Sequence, residues 1–170
     1  MNLRLFGCML VFVACAGCGF SMAAAYQKEE QALRQLARAL DLMHSELRAN
    51  QTPLPQLCRI LARATHGGVS RVFRGLEAQL SGPDSVAPGI GMLRAVQQAG
   101  EVPSLARDIL LRLGGSLGRY DLEGELQGVE RARQETQRQL NQLEDGKEGR
   151  LRGYRTLGIC GGAALAILLI

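Results

Sequence analysis

Three groupings in this 170-residue chain carry residue types that chemistry needs, and none completes a site. Cys15-x-x-Cys18 has the spacing of a redox or metal pair, but it lies in an uncharged run with no second pair and no nearby histidine. Small-residue packing within an apolar helix is the better reading. Gly89-x-Gly91 has phosphate-loop spacing, yet it follows no strand and lacks a Walker-type lysine. Of the two histidines, His44 stands beside an apolar stripe and His66 before a Gly-Gly pair, so each reads as packed or solvated. No Ser, Cys or Lys is placed with a base and an orienting carboxylate at readable spacing. Neither a catalytic residue, a metal site nor a cofactor is expected, nor a small-molecule substrate. The chain does not read as an enzyme.

Charge distribution is more informative than any motif. All 16 acidic residues lie between Glu29 and Glu148, and 19 of the 20 basic residues lie between Lys28 and Arg155. The exception is Arg4. Nineteen against sixteen leaves the middle at about +3, with two ends almost free of charge. The net +4 suits an anionic membrane surface or nucleic acid, but 4% aromatics offers few base-stacking side chains, so no nucleic-acid partner is expected. The five cysteines (8, 15, 18, 58 and 160) make no disulfide framework, because four sit in the apolar ends.

From Leu5 to Ala25 run 21 residues without a charge. A helix of that length covers about the 30 Å of a bilayer core. The last 15 residues, Thr156–Ile170, give about 22 Å by the same rise and need flanking arginines to snorkel. The basic residues Lys28, Arg34 and Arg38 follow the first run, and Arg138, Lys147, Arg150, Arg152 and Arg155 precede the second. Both biases place the middle on the cytoplasmic side, with Tyr26 and Tyr154 at one water boundary. The expected division is therefore 1–25 as an N-terminal transmembrane helix, 26–155 as a cytoplasmic helical domain, and 156–170 as a C-terminal transmembrane helix. The competing reading is a cleaved signal peptide, or a lipid-attachment box ending Ala16-Gly17-Cys18, either of which exports the domain as a helical adaptor.

The middle is rich in Leu, Ala, Arg, Gln and Glu, and no stretch alternates with period two. Leu33, Leu36, Leu40, Met43 and Leu47 step by three and four along one helix face, ended by Asn50-Gln51. Thr52 before Pro53 is expected to cap a second helix carrying Leu54, Leu57, Ile60, Leu61 and Ala64, with Gly67-Gly68 as its stop. Val69, Val72, Phe73, Leu76 and Leu80 mark a third helix, broken at Gly82-Pro83, and 90–99 a fourth. Ser104 is expected to cap a fifth with Leu105, Ile109 and Leu113 inward, stopped by Gly114-Gly115. Asp121 is expected to cap the last, whose stripe is Leu122, Leu126, Val129, Thr136, Leu140 and Leu143. That helix runs on into the second apolar end if Gly146, Gly149 and Gly153 do not break it, each costing about 1 kcal/mol against Ala. The fold class is all-α: a compact six-helix bundle between two membrane helices.

Small residues offer close helix packing at Gly17 and Ser21 in the first span and at Gly158 and Gly162 in the second. Gly114-x-x-x-Gly118 and Gly124-x-x-x-Gly128 repeat the spacing in the polar part, where helix stops and tight contacts are the expected roles. The arginines from Arg131 to Arg155 either meet lipid head groups or a protein partner, or form a solvated face with Glu–Arg pairs.

Taken in order, several short stretches resemble a known family. They are Gly19-Phe20-Ser21-Met22-Ala23, Leu40 through Glu46, Thr52-Pro53-Leu54, Leu113-Gly114 with Leu117-Gly118 and Asp121, then Gln127, and finally Tyr154-Arg155-Thr156-Leu157-Gly158-Ile159. Along the whole chain this pattern resembles the stage III sporulation protein AB family. Gly146, Gly149 and Gly153 depart from the family pattern, whose final soluble helix carries little glycine. The resemblance implies a bundle similar to the cytoplasmic domain of the F-type platform proteins of type II secretion and type IV pilus machines. It implies a place in the multi-protein assembly that bridges mother cell and forespore, one member of which resembles a secretion ATPase. On that reading the partners are the ATPase, other stage III sporulation subunits and membrane lipid. The charged residues near helix ends to test as the partner interface are Glu46, Arg48, Arg112, Asp121 and Glu125.

Overall fold

In a computed structural model, the backbone is described for residues 2–82, 86–118 and 122–169, and the side chains for 24–82, 86–118 and 122–145. The three-and-four leucine spacing lies on α1 (Asn2–Asn50), where Leu33, Leu36, Leu40, Met43 and Leu47 are all buried. Five further helices follow: α2 (Leu54–Ala64), α3 (Gly67–Ser81), α4 (Pro88–Gln98), α5 (Ser104–Ser116) and α6 (Leu122–Leu169). Each packs on the next in the chain, and α6 closes the ring on α1. α1 also touches α2, α3 and α5, so its apolar stripe is shared by most of the bundle.

One core holds all six elements. Phe73, Leu57, Leu61, Leu76, Met92, Leu110, Leu113 and Leu117 are almost completely buried in it. On α6, Val129, Ala132, Thr136 and Leu140 face the core, and Leu126 and Leu143 pack at its margin. Thr136 is tolerated there because its hydroxyl donates to the Ala132 carbonyl at 2.7 Å. Leu122 departs from expectation: it is 37% exposed, one turn before the stripe reaches the neighbouring helices.

The helix signals correct the sequence reading at four points. Thr52 is not the cap of α2; Pro53 takes that position, and the Thr52 hydroxyl donates to Glu46 instead, a charged and stronger acceptor. Ser104 is likewise inside α5 rather than capping it, and its hydroxyl points to Glu29 of α1. Gly67-Gly68 does not stop α2, which ends at Ala64 with Thr65 donating its hydroxyl back to Leu61; Gly67 opens α3. Gly114-Gly115 does not stop α5, which continues to Ser116. The stop is Gly118, at φ +69° in the left-handed region that glycine enters freely.

Gly114 has a packing role. A Cβ there would stand 2.5 Å from Met92 Cβ and 2.6 Å from its Cγ, atoms too near the α4 backbone to swing aside. Gly114→Ala gains about 1 kcal/mol of helix propensity and loses about 1–3 kcal/mol to overpacking. The expected result is a net loss, read as a lower melting temperature of the detergent-solubilised full-length chain.

α6 is helical from Leu122 through Leu169, so Gly146, Gly149 and Gly153 do not interrupt it. α1 is likewise unbroken over 49 residues. The two run antiparallel, tied by Asp41 to Arg133 at 2.5 Å and by Arg34 to Glu144 at 3.4 Å. Such exposed pairs contribute only about 0.2–1 kcal/mol each, so they set register more than stability. Both helices leave the bundle at the same end. Among the described residues no helix is long and apolar enough to cross a membrane. The apolar runs 5–25 and 156–170 fall almost wholly outside the described side chains, as do Gly17, Ser21, Gly158, Gly162 and the Cys15–Cys18 pair.

Candidate functional site

The five charged residues expected at a partner interface divide by what their side chains touch. Glu46, one turn from the end of α1, accepts from Asn50 Nδ2 and from Thr52 Oγ1, each at 3.0 Å. It ties the end of α1 to the start of α2 across Gln51, whose φ is +48°. Glu125 accepts the Gly118 backbone N–H at 2.8 Å and holds the turn between α5 and α6. Arg48 and Arg112 are exposed and, among the described residues, have no ion-pair partner. Asp121, also the expected cap of α6, lies outside the described residues. Glu46 and Glu125 are thus turn locks, whereas Arg48 and Arg112 are available to a partner.

The hydrogen bonds to Glu46, that from Asn50 first and that from Thr52 second, hold its carboxyl below the usual glutamate range. A carboxyl lowered on folding stabilises above its unfolded value, and that contribution fades as pH falls through the lower folded value. Glu46→Gln is therefore expected to flatten the fall in melting temperature between about pH 6 and pH 3. An unchanged acid limb would show that the lock contributes nothing.

Arg112 lines a groove between α5 and α6 with Ile109, Ser116, Gly128, Arg131 and Arg138. Gly128 makes the close approach possible, because a Cβ there would lie 2.5 Å from the Ser116 hydroxyl oxygen. Over the described part of α6, the arginine run is a solvated face with local Glu–Arg pairs, Arg133 with Glu130 at 3.6 Å and Arg138 with Glu135 at 3.9 Å.

A second and more basic surface, on α2 and α3, was not singled out from the sequence. Arg59, Arg63, Arg71 and Arg74 line one concavity with His66 and Glu77. They are scattered over 16 positions in sequence, and only the antiparallel packing of α2 on α3 brings them together. Glu29 was missed for the same reason. Its carboxylate accepts the Leu105 N–H at 2.9 Å and so caps α5 from another helix.

His66 is exposed and His44 half-buried, and among the described residues no group of three or more His, Cys, Asp or Glu could hold a metal. Cys58 is buried beside Glu77; burial first, and that carboxylate second, push its thiol up to about 12. It is a packed side chain, not a nucleophile.

A six-helix ring whose first and last helices leave together at one end, with charged grooves on its flanks, defines an all-helical bundle. The family model for stage III sporulation protein AB matches residues 4–170. The chain belongs to that family. A solved structure of a stage III sporulation protein AB (SpoIIIAB) has the same fold, with a TM-score of 0.63 and 19% identity over 72% of this chain and 98% of that one. No curated protein matches the sequence.

Proposed function

We propose that this chain is a non-enzymatic platform of the mother cell–forespore complex required for endospore formation. In this reading, residues 1–25 and 156–170 span the mother-cell membrane and 26–155 face the cytoplasm. By the resemblance to F-type secretion platforms, the bundle docks a secretion-type ATPase and other stage III sporulation subunits. The observation that carries the reading is the unbroken pair α1 and α6, each passing from the shared core towards an apolar chain end. A push on the bundle would reach the bilayer through two continuous helices without a flexible joint. The excess of basic residues beside both apolar runs supports the cytoplasmic placement. Gly17 with Ser21, and Gly158 with Gly162, are the proposed packing faces of the spans.

Docking is tested by flotation. Purified sporulation ATPase is mixed with proteoliposomes holding the full-length chain, and the ATPase floating with the vesicles is measured. Recruitment that Arg48→Glu with Arg112→Glu reduces supports the reading. Equal flotation with empty vesicles overturns it, and recruitment indifferent to all five charged positions moves the docking surface elsewhere.

A further inference from the structure

The α2–α3 groove gathers four of the described arginines around one concavity. Its concavity of about 790 Å³ is walled by four arginines and one carboxylate, Glu77. Glu77 is committed to Arg59, whose Nε donates to it at 2.7 Å. Arg71 donates to the Ala99 carbonyl, a neutral acceptor that leaves its charge uncompensated. Arg63 and Arg74 are exposed and have no partner among the described residues. Three guanidinium groups therefore face one groove without a matching anion.

Helix geometry limits what fits. Arg59 and Arg63 stand four residues apart on α2, about 6 Å along its axis, and Arg71 and Arg74 oppose them on α3. That arrangement matches carboxylates repeated along a chain segment, taken by forked guanidinium donors. We propose that the groove between α2 and α3 is a docking site for an acidic segment of a protein partner. The groove is open to solvent, as a segment lying on a surface needs.

An anionic bilayer is the poorer match. The His66 N–H is tied to Gln35 of α1 at 3.2 Å, and Gln35 lies nine residues, about 13 Å, beyond Tyr26 along the helix. Arg71 shares a concavity with Ala25 and Lys28 near that boundary, but Arg59, Arg63 and Arg74 do not line it, and lipid charge is screened within about 8–10 Å. The inference goes beyond the platform reading, since it concerns the chemistry of a partner segment whichever protein carries it.

The test uses the full-length chain in neutral detergent and a fluorescein-labelled helical peptide with glutamate at every fourth position. Its glutamine counterpart is the reference probe. The glutamate peptide is expected to bind, and Arg63→Glu with Arg74→Glu to weaken it about tenfold. Arg38→Glu with Arg94→Glu makes the same charge change on exposed positions of α1 and α4, and is expected to leave affinity nearly unchanged. Arg59 and Arg71 are left intact because the fold uses them. No binding of the glutamate peptide, or equal weakening by both double variants, overturns the proposal. Competition by inorganic phosphate beyond that of sodium chloride at equal ionic strength overturns it in favour of a small-anion site. Loss of binding to phosphatidylglycerol vesicles, with peptide binding kept, overturns it in favour of a lipid surface.

Discussion

A chain lacking residues 1–25 and 156–170 is expected to move from the membrane pellet to the supernatant. The full-length chain is expected to stay in the pellet through high salt and alkaline washing. The driving force is the hydrophobic transfer of an uncharged run of 21 residues and a second of 15. Each Leu, Ile, Phe or Val at a span centre contributes about 0.3–0.6 kcal/mol on an insertion scale, so in the proposed topology the two runs act together as firm anchors. Removing one run separates their contributions. The shorter C-terminal run, about 22 Å as a helix, is expected to hold less firmly alone than the N-terminal one. A full-length chain released by salt would mean that surface charge, not apolar transfer, holds it at the bilayer.

Phe73→Ala is expected to lower stability by about 3–5 kcal/mol. Phe73 is completely buried on α3, the helix that packs on α1, α2 and α4 together. It belongs to the single core that those helices share, and a cavity there cannot collapse without moving several elements. A domain of ordinary stability has about 5–15 kcal/mol in all, so the loss approaches unfolding. Phe73→Leu, which keeps most of the volume, is expected to lose under about 1.5 kcal/mol. Thermal or urea melts of the full-length chain in mild detergent measure both. A small effect of Phe73→Ala would place the shared core elsewhere.

Much of the bundle was legible because leucines carry it. The stripes on α1, α3 and α5 are spaced for helix faces that bury, and they do bury, Leu80 and Leu105 only in part. The helix ends were less legible. Thr52 and Ser104 have the chemistry of caps, but Glu46, six residues back on α1, and Glu29, 75 residues away, offer charged acceptors that outcompete the local backbone. Gly114 looks like a stop and is a seat for Met92, because close approach between α4 and α5 needs the missing Cβ just where a turn signal would also need glycine. The continuity of α6 past Gly146, Gly149 and Gly153 opposes local propensity as well. At the surface, Glu46 and Glu125 proved to be turn locks, and the arginine groove was invisible until α2 and α3 were folded together. Charge at helix ends is readable in one dimension; which charges converge is not.

The side of the membrane on which the bundle stands is the most direct test. A thiol introduced by Gln97→Cys on the exposed face of α4 would be probed with a membrane-impermeant maleimide during sporulation. Cys8, Cys15, Cys18 and Cys160 are replaced by serine in this background, and Cys58 stays silent, being buried and held up to about 12. A cytoplasmic bundle predicts no labelling in intact cells and full labelling after permeabilisation. Labelling of intact cells would put the bundle outside and favour an exported adaptor.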